Sequence, residues 1–321
     1  MILMCREVGA LAAVLVCAAS SIQPVDTAPL QKCPMALPEK VLPASLQIQP
    51  WNRVPTVVVS LDASRTERAV IATGLNANVI SPQASERLKL VTVDGRVKID
   101  ALDSATAGGQ AEVSHFKAST LDLSKVAFAV ADVPGLLSLN PHPDAPATWL
   151  GTPFLSAFQV TIDSAAQSVM LANAADKIPR TRQTSVAPLK LKDNRPYATV
   201  AIPGAKPFLA LIDTASPGTV IPTEIAEKLK LKPVNTNTIS RAGGVQGKVA
   251  MIEVPKLSIG KAEWKKARVS YLTSDSSKEF DRTFAVIGMD FICQFKVTFD
   301  FAHKQIALTP PEKKVEAPAA P

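Results

Sequence analysis

Short segments in which apolar and polar residues alternate recur along this chain and predict β-strands. Residues 54–61 (VPTVVVSL) form a β-branched run that is typical of a strand with at least one buried face. Residues 197–202 and 208–212, joined by the turn sequence Pro-Gly-Ala-Lys, predict a hairpin. Helical patterns are brief, and residues 223–229 form the clearest one, with Thr223 as its expected N-cap. The pattern predicts an all-β protein with minor helical content.

The same pattern occurs twice. Residues 71–90 align without a gap with residues 212–231 at an offset of 141, with 8 identities in 20 positions. Residues 151–171 align with residues 288–308 at an offset of 137, with 8 identities in 21 positions. The chain is therefore a tandem duplication of one unit, and we expect two β lobes of similar topology.

The first 20 residues are predicted to be a signal peptide. Arg6 precedes an apolar run that is too short to span a bilayer and that ends in small residues. We therefore expect an exported protein, periplasmic or secreted, with no membrane segment after signal removal. The expected organisation is a signal peptide (1–20), a Pro-rich leader (21–44), a first repeat (45–173), a linker (174–187), a second repeat (188–310) and a disordered tail (311–321).

Composition narrows the possible partners. The net charge is +7, but the positive residues are scattered and only 5% of residues are aromatic, which argues against nucleic-acid binding. His115, His142 and His303 lack the spacing of metal ligands, so neither a metal site nor a cofactor is predicted. Cys33 and Cys293 remain after signal removal. They either pair in an oxidising compartment or stay as free thiols, and the sequence leaves both open.

The repeats differ at a tripeptide that follows an apolar strand. It is Ala72-Thr73-Gly74 in the first repeat and Asp213-Thr214-Ala215 in the second, where residues 285–288 (Ala-Val-Ile-Gly) follow further along the chain. These motifs resemble the retropepsin-like and pepsin-like aspartic peptidases. Each lobe of that family has an Asp-Thr/Ser-Gly turn backed by a hydrophobic-hydrophobic-Gly strand. The resemblance covers roughly residues 51–310 and implies a bilobal acid-protease-like fold that takes a polypeptide substrate or ligand.

The family's chemistry, as the resemblance implies it, needs two acids. Two carboxylates a few Å apart share a proton, so that one activates water while the other donates to the peptide carbonyl. In this chain Ala72 stands where the partner acid is expected and Ala215 where the family has glycine. We expect an isolated Asp213 to titrate near its reference pKa of about 3.9 and to be unable to serve as both base and acid.

Three interpretations remain open from the sequence. Two chains associate as a homodimer with an Asp213/Asp213 dyad, giving an active exported endopeptidase. Alternatively, the lobes pair within one chain and form a catalytically inactive homologue that binds extended peptides. In the third, Asp213 is a structural carboxylate in an exported β protein.

Two pairs of glycines are predicted to form mobile hairpin tips, or flaps, that contact a substrate: Gly108 and Gly109, and Gly243 and Gly244. A phosphate loop at residues 243–248 is disfavoured, because Ala242 replaces its first glycine and Val249 its Ser or Thr. Asp290 is expected to cap a short helix at Phe291.

Overall fold

The computed structural model describes residues 42–62, 65–93, 99, 109–131, 145–240, 246–273 and 283–311. The elements of the first repeat are β1 (Ala44–Gln47), β2 (Thr56–Leu61), β3 (Arg65–Ile71), β4 (Val79–Ile80), α1 (Pro82–Leu88), β5 (Val91–Val93), β6 (Gln110–Ala118), β7 (Leu121–Val130), β8 (Thr148–Leu150), α2 (Thr152–Leu155), β9 (Phe158–Asp163) and β10 (Ser168–Asn173). No helix within these ranges is long and apolar enough to cross a membrane.

The elements of the second repeat are β11 (Ser185–Pro188), β12 (Lys190–Lys192), β13 (Arg195–Ala201), β14 (Phe208–Ile212), α3 (Thr223–Leu229), β15 (Asn235–Ser240), β16 (Gln246–Ile259), β17 (Ala262–Leu272), β18 (Val286–Ile287), α4 (Met289–Ile292), β19 (Lys296–Asp300) and β20 (Gln305–Thr309). The second repeat follows a similar order to the first, except that it has the additional strand β12 and only isolated bridges at Val220 in place of β4. The predicted all-β class is confirmed, as are the β13–β14 hairpin and the bounds of α3.

Each repeat builds a lobe around its own sheet. The sheet of the first lobe runs β2-β3-β8-β4-β7-β6-β5, and an additional pairing of β2 with β6 closes it. The sheet of the second lobe runs β15-β16-β13-β14-β18, with β12 on β13 and β17 on β16. Val220 pairs with Ser270 and Val286 through single bridges, as β4 pairs with β7 and β8 in the first lobe. The lobes therefore have corresponding topologies.

A third sheet joins the two repeats within one chain. Its order is β1-β10-β9-β19-β20-β11, so each repeat contributes three strands and the repeats meet at β9 and β19. At this junction the hydroxyls of Thr161 and Thr298, which are equivalent residues of the two repeats, lie 2.9 Å apart. A pseudo-twofold axis therefore relates the lobes and passes close to this pair.

The outer strands of this shared sheet lie across the expected boundaries of the repeats. Strand β11 lies at the end of the expected linker, and β1 begins at Ala44, the last residue of the expected leader. Both strands are four residues long and pair at the sheet edges. Such short segments carry too little alternation to be recognised without their partners.

The expected cap of helix α3 is wrong. Pro222 holds the N-cap position, and the Thr223 hydroxyl donates to the Leu272 carbonyl at 2.6 Å. A tertiary acceptor on β17 thus takes the hydroxyl that local rules assign to the helix end. In α1 the ordinary pattern holds, because Ser81 accepts from the Ala84 amide.

Gly151 and Gly288 follow the hydrophobic pairs of β8 and β18. Each must be glycine because another segment of backbone passes too close to leave room for a side chain. A Cβ on Gly151 would lie 2.0 Å from the Ala77 carbonyl oxygen, and one on Gly288 would lie 2.4 Å from that of Gly218. Neither glycine has a positive φ, so the constraint is space rather than backbone conformation.

We predict that Gly288→Ala destabilises the fold by about 1–3 kcal/mol or more, because the new methyl group collides with backbone that has no room to move. Gly109→Ala is the matched control, since Gly109 is exposed and the change should stay within about 0.5 kcal/mol. Denaturant unfolding followed by circular dichroism measures both. Equal stability of the two variants would contradict the steric account.

Candidate functional site

The two tripeptides meet at the pseudo-twofold axis, each at the end of an apolar strand. The Asp213 amide donates to the Ile287 carbonyl at 3.0 Å, and the Ala72 amide donates to the Leu150 carbonyl at 2.9 Å. Ala72 and Asp213 therefore occupy equivalent backbone positions in the two lobes. The side chain opposite Asp213 across the axis is a methyl group.

Reciprocal hydrogen bonds between two threonines, here called the threonine interlock, hold the tripeptides together. The Thr73 amide donates to Thr214 Oγ1 at 3.1 Å, and the Thr214 amide donates to Thr73 Oγ1 at 3.1 Å. The Thr73 hydroxyl donates to the Ile212 carbonyl at 2.7 Å, and the Thr214 hydroxyl donates to the Ile71 carbonyl. Both threonines are fully buried. These bonds fix the distance between Ala72 and Asp213.

The carboxylate of Asp213 is held by backbone from both lobes. Its Oδ1 accepts hydrogen bonds from the Ala215 amide at 2.8 Å and from the Gly74 amide at 3.1 Å. Within the described part of the chain, no hydrogen bond reaches Oδ2, and no second carboxyl group shares a proton with Asp213. The oxygen Oδ2 is thus left for a ligand or for solvent.

The expectation that Asp213 titrates near its reference value is wrong. Burial raises the pKa of its carboxyl, and the hydrogen bonds from Ala215 and Gly74 and the charge of Arg195 oppose that effect without reversing it. The reference value applies to a carboxyl group in water, whereas the side chain of Asp213 is only partly exposed. A lone acid that keeps its proton more readily can donate a hydrogen bond over a wider pH range.

Ala72 and Ala215, the two departures from the family motif, are sterically linked. A Cβ on Gly74 would lie 2.3 Å from Cγ of Asp213, so a carboxylate at one position requires glycine at the facing one. The pseudo-twofold axis places Ala215 opposite Ala72 in the same way. Ala215 is accommodated because the residue facing it has no carboxylate. Its φ is not positive, so its backbone also suits an L-residue.

Asp290 connects helix α4 to the loop between β14 and α3. Its Oδ2 accepts from the Thr219 amide at 2.8 Å, and its Oδ1 accepts from the Thr219 hydroxyl at 2.5 Å and from the Phe291 amide at 2.8 Å. The expectation that Asp290 caps this helix is wrong, because Gly288 holds the N-cap position and Asp290 lies in the first turn of α4, where it accepts from the amide of the next residue. The additional bonds to Thr219 were not foreseen, since they join residues 71 positions apart.

The predicted flap glycines lie mostly outside the described residues. Gly108, Gly243 and Gly244 fall in undescribed segments, whereas Gly109 is exposed and directly precedes β6. Strands β15 and β16 pair up to Ser240 and Gln246, so residues 241–245 connect the arms of a hairpin. Residues 241–245 themselves lie outside the described part of the chain, so both the hairpin tip and its role as a flap stay predictions.

Sequence reasoning missed an apolar cluster beside Asp213, here called the acid-side cluster. It consists of Leu211, Val220, Val249, Leu272 and Val286, with Tyr197 and Phe284 packed against it, and it is separate from the main core. Because strand side chains alternate, Leu211 lies on the same face as Asp213. Counting this alternation back from Asp213 would have identified Leu211 as an apolar neighbour of the acid from the sequence.

The described residues contain no cluster of three or more His, Cys, Asp and Glu side chains arranged to hold a metal. His303 contacts Asp300 at 2.9 Å in the turn after β19, and His115 lies on β6. Cys293 is disulfide-bonded. The other cysteines, Cys5, Cys17 and Cys33, lie outside the described residues, so pairing with Cys33 stays a prediction.

Comparison with known proteins agrees with the motifs. Residues 198–294 match the model of the family described as gag-polyprotein putative aspartyl protease, which confirms the resemblance for the second repeat. Among solved structures, the aspartic proteinase from Irpex lacteus is 14% identical, with a TM-score of 0.49, and the match covers 85% of this chain and 99% of that one. No curated protein matches the chain.

We predict that Ala72→Asp and Ala215→Gly are strongly coupled. Ala72→Asp alone should destabilise the protein by about 1–3 kcal/mol, because the new carboxylate collides with the methyl group of Ala215. Ala215→Gly should remove most of that cost in the double variant. A double-mutant cycle by denaturant unfolding at pH 4, where charge repulsion is reduced, measures the coupling. Additive effects would contradict the facing arrangement.

Asp290 should give the stability a distinctive pH dependence. Burial raises the pKa of Asp290 to about 6, above its value of about 3.9 in an unfolded chain. Its contribution is therefore complete below about pH 4 and is lost as the pH rises through 6. Between pH 4 and 7 the wild type should lose about 1–3 kcal/mol that Asp290→Asn does not lose. Parallel curves for the two proteins would refute this, and the exposed change Asp122→Asn serves as the control.

Proposed function

Since the second repeat matches the retropepsin-like aspartyl proteases, we propose that this protein binds an extended polypeptide between its lobes and that a single chain does not hydrolyse it. The observation that carries the proposal is the environment of Asp213. Its carboxylate faces Gly74 and Ala72 of the first lobe rather than a second acid. The organisation of the protease fold is thus retained around one acid.

One acid cannot complete the hydrolytic cycle of the family. Peptide hydrolysis by the dyad needs a base that takes a proton from water and an acid that gives one to the carbonyl, at the same moment. Asp213 supplies either function but not both. The backbone amides of Gly74 and Ala215 donate to Oδ1, and neither amide can act as an acid in place of a carboxyl group.

The site suits a ligand with an extended backbone. Oδ2 of Asp213 can accept from a ligand amide, and, because burial raises the pKa of this carboxyl, the protonated form can also donate to a ligand carbonyl. The acid-side cluster on the same face is buried, and Tyr197, which pairs with Leu211 and is partly exposed, offers apolar contact to a side chain there. Extended peptides are recognised in this way, by backbone hydrogen bonds together with pockets for alternate side chains.

A peptidase remains the second candidate, favoured by the raised pKa of Asp213, since perturbed carboxyl groups concentrate at active sites. It requires an acid from outside the chain, as in a homodimer in which two second repeats face each other. That arrangement has to separate Asp213 from Gly74 and break the threonine interlock. Location in the periplasm or outside the cell is proposed for either function, on the strength of the N-terminal sequence.

We predict that fluorescein-labelled, unfolded β-casein binds the monomer and is not cleaved by it. Asp213→Asn should weaken binding about tenfold, because a hydrogen bond to an ionised group is lost. Asp163→Asn, a turn carboxylate on β9, should leave binding unchanged. Fluorescence anisotropy measures binding, and release of acid-soluble fluorescence between pH 3 and 7 measures cleavage.

Gel filtration identifies the species that is responsible. Cleavage that co-elutes with a dimer and is abolished by Asp213→Asn would support the peptidase instead. Absence of casein binding to any species would refute the peptide-binding proposal.

A further inference from the structure

A cavity of about 450 Å³ lies at the edge of the second lobe, where the start of β17 meets the end of β20 and the residues before β19. Its floor is apolar and consists of the buried Ala262, Phe295 and Leu308 with the partly buried Trp264. Neither tripeptide contributes to its lining. The cavity is therefore separate from the candidate site.

The first lobe fills the equivalent position with its own side chains. Strands β1 and β11 pair at equivalent positions of β10 and β20, which makes Leu42 the equivalent of Gln183. Leu42 packs against the main core, whereas Gln183 is exposed and lines the cavity. The registers of β6 with β7 and of β16 with β17 make Leu121 the equivalent of the smaller Ala262. The cavity thus lies where the second lobe lacks two apolar side chains that the first lobe has.

A disulfide anchors another part of the chain beside this cavity. Cys293 is disulfide-bonded, and the other cysteines of the sequence are Cys5, Cys17 and Cys33. All three precede β1 and lie outside the described part of the chain. Gln294, which lines the cavity, has its Nε2 3.9 Å from the Cys293 sulfur. The bond therefore brings the N-terminal segment to the edge of the cavity.

The distance from Leu42 to Cys293 suits a bond to Cys33. The nine residues that follow Cys33 up to Leu42 span about 30 Å when extended, and a disulfide adds about 5 Å. Across the shared sheet, three strand spacings contribute about 15 Å and the length of a six-residue strand about 20 Å. An extended tether therefore reaches Cys293 and leaves residues 21–32 beside the cavity. Cys5 and Cys17 belong to the expected signal peptide.

Residues 21–32 have a composition that suits an aromatic floor. Their sequence is SIQPVDTAPLQK, with two prolines and three bulky apolar residues. Pro-rich segments adopt an extended polyproline II conformation, which loses little entropy when it docks against aromatic side chains. Asp26 adds a charge that can pair at the rim, where Lys261 and Lys265 are exposed and form no salt bridge within the described residues.

The C-terminal tail is the competing occupant, since Pro310 lines the cavity and the tail begins directly after it. The tail has one bulky apolar residue, Val315, against three in residues 21–32. It also contains no cysteine that could hold it at the cavity. These differences favour the leader.

We propose that residues 21–32 of the leader fill this cavity, with Leu30 against Trp264, and that a disulfide between Cys33 and Cys293 holds them there. Leu30 is the bulky apolar residue nearest to Cys33 on this side. Formation of the bond oxidises two thiols, whose two protons and two electrons pass to a disulfide oxidant that becomes a dithiol. Reduction of the bond releases the leader. This docking goes beyond the proposed peptide binding and does not depend on it.

Trypsin cleavage after Lys32 in the exported, oxidised protein tests the proposal, with intact-mass spectrometry as the measurement. A protease acts on the released segment, so docking should slow this cleavage. Leu30→Asp removes the apolar anchor but keeps the disulfide, and it should speed cleavage at least tenfold relative to the wild type. Lys40→Asp, a matched change in the tether, should leave the rate within twofold.

Ala262→Leu introduces in the second lobe the side chain that the first lobe has at Leu121. It should fill the cavity, displace Leu30 and speed cleavage after Lys32 at least tenfold. Reduction of the wild type with dithiothreitol should do the same, because the tether no longer holds the leader near the cavity. Circular dichroism verifies that each protein is folded, and if Ala262→Leu is not, Leu30→Asp decides the question.

A non-reducing peptide map should join Cys33 to Cys293, and a map that joins Cys293 to another cysteine would overturn the proposal. Equal cleavage rates for the wild type and Leu30→Asp would overturn it as well. Protection of Lys313 and Lys314 that is abolished by Ala262→Leu, with Lys32 unprotected, would identify the C-terminal tail as the occupant instead.

Discussion

The threonine interlock is the contact on which the rest of this structure depends. Thr73 and Thr214 each donate and accept across the pseudo-twofold axis, and each hydroxyl also reaches a strand carbonyl of the other lobe. Both residues are buried, so loss of one partner would leave polar groups without water or protein to satisfy them. The interlock therefore holds the tripeptides together whether or not an acid is present. That independence explains how the fold tolerates alanine at position 72.

The absence of an acid at position 72 and the absence of glycine at position 215 follow from one steric rule. A carboxylate on one side of the axis needs a residue without Cβ on the other, as the contact between Asp213 and Gly74 demonstrates. Removal of the acid at position 72 removes the need for glycine at position 215. The first repeat keeps Gly74 because the carboxyl group of Asp213 leaves no room for a Cβ at that position. The sequence differences at the site are thus one coupled change rather than several independent defects.

Equivalent backbone geometry is supported by different side chains in the two lobes. The glycine after β8 donates to Asn78, whereas the glycine after β18 donates to Thr219, which Asp290 holds in turn. The close approach of backbone to these glycines is the same in both lobes. Side-chain chemistry has diverged around a fixed backbone, and Trp149 and Val286, which hold equivalent positions in β8 and β18, are the extreme case. A duplicated fold can in this way keep its backbone symmetric while the buried side chains of its two lobes differ.

The sequence by itself determined the duplication, the all-β class, the β13–β14 hairpin and the position of the tripeptides. These features rest on local periodicity and on internal similarity, which a linear pattern carries completely. The sequence missed strands β1 and β11, the second partner of Asp290 and the acid-side cluster, because each depends on residues far apart in the chain. It also misjudged the pKa of Asp213, since burial is a property of the assembled lobes. Only the tertiary structure decided that the lone acid faces the other lobe of its own chain, because only folding brings Gly74 against Asp213.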